Sequence, residues 1–486
     1  MRLICIWWQG TNERSFFMEF ESLVSGRASM RVLMLGWEYP PLVTGGLATA
    51  TEGLVNGIIA LGHQVTLVLP YFPFRVRKDG LTIVSPERPV GFDALEDSDL
   101  VQSLTGAHAD AIKSVVEGNL VDWKSHYEYR LMGEWAGNGA DSLQEGDISA
   151  KLGLREIEAR SSVGASAVPA PLFQTMEERA FVLGVLASQL VETEYFDVIH
   201  VHDWMTFPAL DVIKSRCAVP VVVQVHSTEY DRAGESGNAR IIDIERRGVT
   251  IADRVITVSR YTKSILMQRF AVPEEKIEVA YNASNEQHAN GSNGNSVLAS
   301  GAERSPVVTF VGRITFQKGP AYFVHAAELV LQSNPNVHFR VVGTGDLLSS
   351  MKQLVWELGI DKSFVFDGFL DARQVQEVLA ESDVFVMPSV SEPFGIVALE
   401  AVQQNIPVII SKQSGVSEVL PNALKVDFWD TELLADRILS LIKYHKVRHE
   451  LVENSQKDLI RRTWHQAALR CQEAYRRAIE VSSPAK

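Results

Sequence analysis

The run Met30-Arg31-Val32-Leu33-Met34-Leu35, then Thr49 to Leu61 closed by Gly62, then Val65-Thr66-Leu67-Val68-Leu69, decides the fold. The outer segments are short, apolar and unbroken, the form of strands covered on both faces. Between them Leu54, Ile58 and Leu61 recur at helical spacing, and Gly62 supplies a stop. Strand, helix, strand predicts a parallel sheet, and the alternation continues along the chain. A first series adds strands at Val198 to Val201, Val221 to Val225, Val255 to Val258 and Ile277 to Ala280. A second has Val307 to Val311, Val337 to Val342, Phe364 to Phe366, Val384 to Met387 and Val408 to Ile410, with helices between. Two Rossmann-like, doubly wound α/β domains facing across a cleft are expected, and such folds bind ligands in that cleft.

Residues 30–283 form the first domain of this reading and 305–462 the second. Between them, Ser284 to Arg304 holds 11 Ser, Asn or Gly among 21 residues and no Phe, Tyr or Trp, too little apolar surface to offset ordering entropy, so 284–304 is expected to be the linker. From about 90 to 180 the periodicity weakens into an acidic, Gly- and Ser-punctuated insertion with local helices such as Ala107 to Glu117. Thr463 to Ile479, within a terminal segment 463–486, again has helical character, with Trp464, Ala468, Cys471 and Tyr475 on one face.

Composition limits the functional classes. The 486 residues carry a net charge of −14, and 46% are hydrophobic. A disordered chain is excluded, and the acidic balance works against nucleic acid or anionic lipid as a partner over the whole surface. No apolar run is long enough to cross a bilayer. Leu3 to Trp8 is too short for a signal-peptide core, and 1–29 is an extension with no function assigned. Cys5, Cys217 and Cys471 lie far apart with no metal-ligand spacing, which suits a reduced cytoplasm.

Four groups carry candidate chemistry. Thr44-Gly45-Gly46-Leu47 lies between a strand and a helix, where glycines admit a ligand close to the backbone and the helix amino end offers N–H groups to a phosphate. Gly312-Arg313 and Lys318-Gly319 follow the strand Val307 to Val311, two cations suited to holding a diphosphate and stabilising it as it leaves. Glu392 and Glu400 flank Pro393-Phe394-Gly395-Ile396. With Pro393 in the first turn of a helix, Glu392 would lie at its amino edge and Glu400 about two turns along. The amides of Phe394, Gly395 and Ile396 would then be free for an anion or a sugar hydroxyl. Finally, His202-Asp203-Trp204 and His226 end two consecutive strands and would line the opposite wall of the cleft.

Three other motifs have plainer readings. Asp97-Ser98-Asp99 lies in an acidic stretch without a preceding strand and reads as solvated charge rather than a metal site. Gly343-Thr344-Gly345 follows a strand, but Leu348 stands where a dinucleotide fingerprint needs its third glycine. Asn282-Ala283-Ser284 is a glycosylation sequon without relevance in a cytoplasmic protein.

As a set, Gly45 to Leu47, His202-Asp203-Trp204, Val225-His226, Gly312-Arg313 with Lys318-Gly319, and Glu392 with Glu400 resemble the retaining glycosyltransferases of the two-Rossmann-domain (GT-B) type, family 4, and their relatives the bacterial and archaeal glycogen synthases. The resemblance runs over most of 30–480, apart from the insertion. It implies a hexosyl transfer from a nucleoside-diphosphate sugar, held mainly by the second domain, to a sugar or glucan acceptor approaching from the first. A C-terminal helix crossing back to the first domain is implied as well. Carried over, Arg313 and Lys318 would neutralise the diphosphate, and Glu400 would bind the ribose. Glu392 with the amides of Phe394 to Ile396 would address donor sugar and phosphate, and His226 would reach the transferred sugar with Asp203 nearby. Gly45, Gly46 and Gly343 would complete the donor site. No metal or other cofactor is implied, since cations and helix termini supply the charge stabilisation. Val43 stands where the ADP-glucose synthases carry the lysine of Lys-x-Gly-Gly-Leu, which favours the broader family. A sugar-nucleotide epimerase of the same fold and a non-catalytic nucleotide-sugar sensor are the alternatives. Peripheral membrane contact and oligomeric state are left open.

Overall fold

The computed structural model describes residues 29–40, 46–72, 76, 78–85, 176–284, 304–460 and 462–482. They build two all-parallel sheets. The first contains β1 (Arg31–Leu35), β2 (Gln64–Val68), β3 (Leu81–Val84), β4 (Val198–His202), β5 (Val221–Val225), β6 (Arg254–Thr257) and β7 (Ile277–Val279), in lateral order β3-β2-β1-β4-β5-β6-β7. The second contains β8 (Val307–Val311), β9 (His338–Val342), β10 (Phe364–Gly368), β11 (Val384–Met387), β12 (Val408–Ser411) and β13 (Leu424–Val426), in order β10-β9-β8-β11-β12-β13. Both orders turn back beside the first strand, at β1/β4 and at β8/β11. Ligands of open α/β sheets sit outside the carboxyl ends of strands at that switch point. At these carboxyl ends lie His202 and Asp203 in the first sheet, after β4, and Arg313 and the loop from Pro388 to Gly395 in the second, after β8 and β11.

Alternation along the first sheet separates two cores. Leu33, Leu35, Ile199, Val201, Val221 and Val223 pack on one face against Leu183, Leu186 and Leu190 of the helix Met176–Thr193. Val32, Met34, Val198 and Val222 face the helix Gly46–Ala60 and the C-terminal helix Trp464–Ser482 on the other. These last two helices approach closely because the first carries glycines at the crossing. A Cβ on Gly53 would lie 2.0 Å from Trp464 Cε2, and one on Gly57 2.4 Å from the Trp464 carbonyl oxygen. Cys471 and Tyr475 are fully buried there, and Gln472 Nε2 meets His63 Nε2 at 3.0 Å.

The structure differs from the sequence reading at several places. The helix expected from Thr49 begins at Gly46, and β3 and β13, short edge strands, were absent from the expectation. Asn282 and Ser284 of the sequon are buried. Among the described residues no helix is long and apolar enough to cross a membrane. The extension before Ser29, the helix Ala107 to Glu117, Asp97, Asp99, Val43, Gly45 and nearly all of the linker lie outside the described residues.

Candidate active site

The loops after β8, β9 and β11 are locked together by backbone contacts. Gly312 N–H donates to Val342 O at 3.0 Å, Ile314 N–H to Thr344 O at 2.8 Å and Gly343 N–H to Gly368 O at 2.7 Å. Only glycine fits at 343, where φ is +130° and a Cβ would lie 2.0 Å from the Gly312 carbonyl oxygen. Gly343 therefore supports the loop that presents Arg313, which is exposed. Lys318 ends a short 3-10 turn, and Gly319 follows in a left-handed conformation against Pro388 O. Val390 N–H donates to Gln317 O at 2.9 Å, tying this turn to the loop after β11. Lys318 Nζ lies 2.5 Å from Glu392 Oε2, and Ser389 Oγ donates to the same oxygen at 3.3 Å. The two residues proposed from separate motifs thus form one ion pair, with the Glu392 side chain only 7% exposed.

Pro393 does not open the helix, contrary to the expectation. The helix is Ile396–Gln403, and its amino cap is Gly395 at φ 104°. The intervening segment is spent on tertiary contacts: Pro393 O accepts from Ser259 Oγ at 2.6 Å and Phe394 O from Val416 N–H at 2.7 Å. Glu400 accordingly lies about one turn into the helix rather than two. Among the described residues the amides of Phe394 and Gly395 find no backbone acceptor, and Ile396 N–H leads the helix. Half-buried Glu400 faces no compensating charge among the described residues, and burial pushes its carboxyl up to about 7. A carboxylate short of partners beside free amides is an arrangement that vicinal hydroxyls and an anion would satisfy.

On the opposite wall, Asp203 requires revision as a donor-binding group. It sits at φ 58°, unusual for a residue other than glycine, is 6% exposed, and turns its carboxylate onto the chain, where Oδ1 accepts His226 N–H at 2.7 Å. His202 is likewise enclosed rather than lining the cleft. Its Nδ1 lies 3.0 Å from His226 Nε2, and the rings stack with centroids 5.3 Å apart. Behind it His200 meets Tyr475 of the C-terminal helix, Nδ1 to hydroxyl at 2.8 Å. Burial lowers the pKa of all three histidines, His200 to about 3, so they are neutral at pH 7. Gly46 begins its helix, and a Cβ there would meet no atom of the described residues within 4 Å.

Residues that sequence reasoning missed join the walls. Ser391 Oγ donates to Asp231 Oδ1 at 2.6 Å and meets Tyr261 Oη at 2.9 Å. Glu418, from the second sheet's half, accepts the amides of Arg260 at 3.0 Å and Tyr261 at 2.7 Å, capping the helix Arg260–Phe270 of the first. Asp231 carried a readable signal, since Thr228-x-x-Asp231 has capping-box form and makes one. Among the described residues no three His, Cys, Asp or Glu side chains are grouped as metal ligands.

Two nucleotide-fold halves with paired switch points, cations on one wall and a histidine on the other, define a GT-B transferase, and comparison with known proteins agrees. Residues 299–458 match the family described as glycosyl transferases group 1, 152–287 match glycosyltransferase family 4, and 31–105 match the starch synthase catalytic domain. An uncharacterized glycosyltransferase of Methanocaldococcus jannaschii is 27% identical over 93% of this chain and 99% of its own length. The alpha-maltose-1-phosphate synthase of Mycolicibacterium smegmatis is 30% identical over 56% of this chain and 77% of its own. The solved sucrose-phosphate synthase of Thermosynechococcus elongatus shares the fold with a TM-score of 0.60 at 16% identity, covering 93% of this chain and all of that one. The chain belongs to the GT-B glycosyltransferases of family 4, of the glycogen-synthase-like kind.

Proposed function

We propose that the protein transfers a hexosyl group from a nucleoside-diphosphate sugar to a sugar or glucan acceptor, with retention of anomeric configuration. The observation that carries this reading is the Lys318–Glu392 ion pair joining the loops that follow β8 and β11, with Arg313 on the first of these loops and partner-poor Glu400 in the helix after the second. Arg313 and Lys318 face the diphosphate and oppose the charge that develops as it departs. Glu392, with the amides at 394–396, orients the sugar, and Glu400 accepts from the ribose hydroxyls. His226 reaches a hydroxyl of the transferred ring from the other wall. The names of similar proteins, a maltose-1-phosphate synthase and glycogen synthases among them, support a hexosyl donor.

In this reading the charge stabilisation comes from side chains and a helix terminus, so transfer persists in excess EDTA. The test is incubation with a panel of nucleotide sugars and acceptors, reading the anomeric proton coupling of the product by NMR. A retained anomer supports the proposal and an inverted one overturns the stereochemical part. Epimerised donor, or tight binding without turnover, overturns the transfer itself.

A further inference from the structure

On β4 and β5 the face covered by the helix Gly46–Ala60 and the C-terminal helix begins apolar, at Val198 and Val222, and then turns polar. Parallel register sets His200 beside Val222 and His202 beside Gln224, with His226 following on the same face. His202 is fully enclosed. One ring nitrogen, Nδ1, meets His226 Nε2 at 3.0 Å, while the other, Nε2, is buried without a hydrogen-bond partner among the described residues. His226 itself is partly exposed, and its Nδ1 makes no hydrogen bond to a described residue.

Both rings are neutral, so one proton lies on each, and the hydrogen bond between them admits two arrangements. If His202 carries its proton on Nε2, a buried N–H is left without an acceptor, the kind of orphan that folded proteins all but exclude. If the proton is on Nδ1, it is donated to His226 Nε2, and only a lone pair remains unmet at His202 Nε2. The second arrangement obliges His226 to carry its own proton on Nδ1. We propose that His202 is a positioning residue that locks His226 in the Nδ1–H tautomer, so that the nitrogen free for the cleft is a hydrogen-bond donor. Adjacent residues then divide the work: His202 fixes the ring, and Asp203, through His226 N–H, fixes the backbone. The His200 ring, 4.3 Å from that of His202 and held by Tyr475, backs the pair from the C-terminal helix. A donor at this point suits a sugar hydroxyl oxygen as acceptor, which deepens the functional reading above and rests on it for that step alone.

Long-range proton–nitrogen NMR of protein carrying nitrogen-15 histidine distinguishes a protonated ring nitrogen from a bare one, with the signals assigned by a His226→Asn variant. The expected wild-type result is protonated Nδ1 and bare Nε2 at His226. His202→Phe keeps the ring volume without the donor; His226 should shift toward the Nε2–H form and kcat/KM fall about 10- to 100-fold. His202→Gln, whose amide N–H can donate to Nε2, should restore the Nδ1–H signature and most of the activity. Protonated Nε2 at His226 in the wild type overturns the proposal, as does an unchanged signature in His202→Phe. Should His202→Phe fail to fold, the wild-type and Gln spectra decide. The spectrum is read without nucleotide sugar, so an inactive protein with Nδ1–H at His226 overturns only the proposed transfer.

Discussion

Replacing Glu400 by Gln should stabilise the protein and impair it at once. Its carboxyl is pushed from about 4.5 to about 7 by burial, with no compensating charge among the described residues. The folded state therefore holds this proton more tightly than the unfolded chain, and stability is lost as the pH rises from about 4.5 through about 7. A shift of that size corresponds to roughly 2–3 kcal/mol after discounting for the side chain's partial exposure. Glu400→Gln removes the titration while keeping the shape. Its thermal midpoint should exceed that of the wild type by several degrees at pH 8.5, and the advantage should shrink as the pH falls toward 4.5. Donor binding should move the other way, because charge-assisted hydrogen bonds to ribose are worth about 1.5–3 kcal/mol, and KM for the nucleotide sugar should rise about 10-fold or more. Melting curves across that pH range, with donor kinetics at pH 8, decide both. A variant no more stable than wild type at pH 8.5 would refute the burial argument. A stabilised variant with unaltered donor KM would refute the ribose assignment.

Lys318→Ala leaves Glu392 buried and unpaired and should cost about 3–5 kcal/mol in stability; the double variant Lys318→Met/Glu392→Gln should recover the thermal midpoint but not kcat. Recovery of kcat as well would remove both residues from the chemistry. Gly57→Ala puts a methyl 2.4 Å from the Trp464 carbonyl oxygen and should destabilise the packing of the C-terminal helix by about 1–3 kcal/mol, measured by denaturant midpoint. Ser391→Ala removes the hydrogen bonds to Asp231 and Tyr261 that hold the Glu392 loop on the first sheet's half. It should enlarge the radius of gyration in solution scattering and lower kcat/KM about 10-fold, in keeping with one hydrogen bond to a charged group; no change in either would dismiss the coupling.

Most strands were legible because parallel strands buried on both faces read as unbroken apolar runs, and β5, β8 and β11 lie where those runs are. Two of the four edge strands, β3 and β13, lack that signature, and β13 is only Leu424-Lys425-Val426. The helix before Glu400 was misplaced because Pro393 suits a first helical turn, while the local sequence says nothing of Ser259, 134 residues away, which claims its carbonyl. The placement of His202 failed for a related reason. Period-two alternation tells which face of a sheet a residue occupies but not what covers that face, and here the cover arrives with Tyr475, 275 residues beyond His200. Strand identity is local information. Whether a polar strand end is a cleft wall or a sealed support is decided here by the C-terminal helix that covers it.

The pairing of Lys318 with Glu392 bears on how the donor enters. Before the donor arrives, the pair spares the protein two uncompensated charges in a site where the carboxylate is nearly enclosed. In the proposed function a diphosphate would compete with Glu392 for the lysine, and the sugar hydroxyls it carries would then meet the carboxylate that the lysine leaves. Bare nucleoside diphosphate offers only the first half of that exchange. Glu392→Gln should therefore bind nucleoside diphosphate more tightly than the wild type, about 10-fold, since Lys318 is released and one opposing charge is gone. Transfer from the nucleotide sugar should fall in the same variant, because the group that orients the sugar is lost. Isothermal titration with the diphosphate alone, beside steady-state transfer rates, measures the two effects independently. If diphosphate affinity were unchanged or weaker in a stably folded Glu392→Gln, Lys318 would not reach the diphosphate, and leaving-group stabilisation would fall to Arg313 and the helix terminus at Ile396.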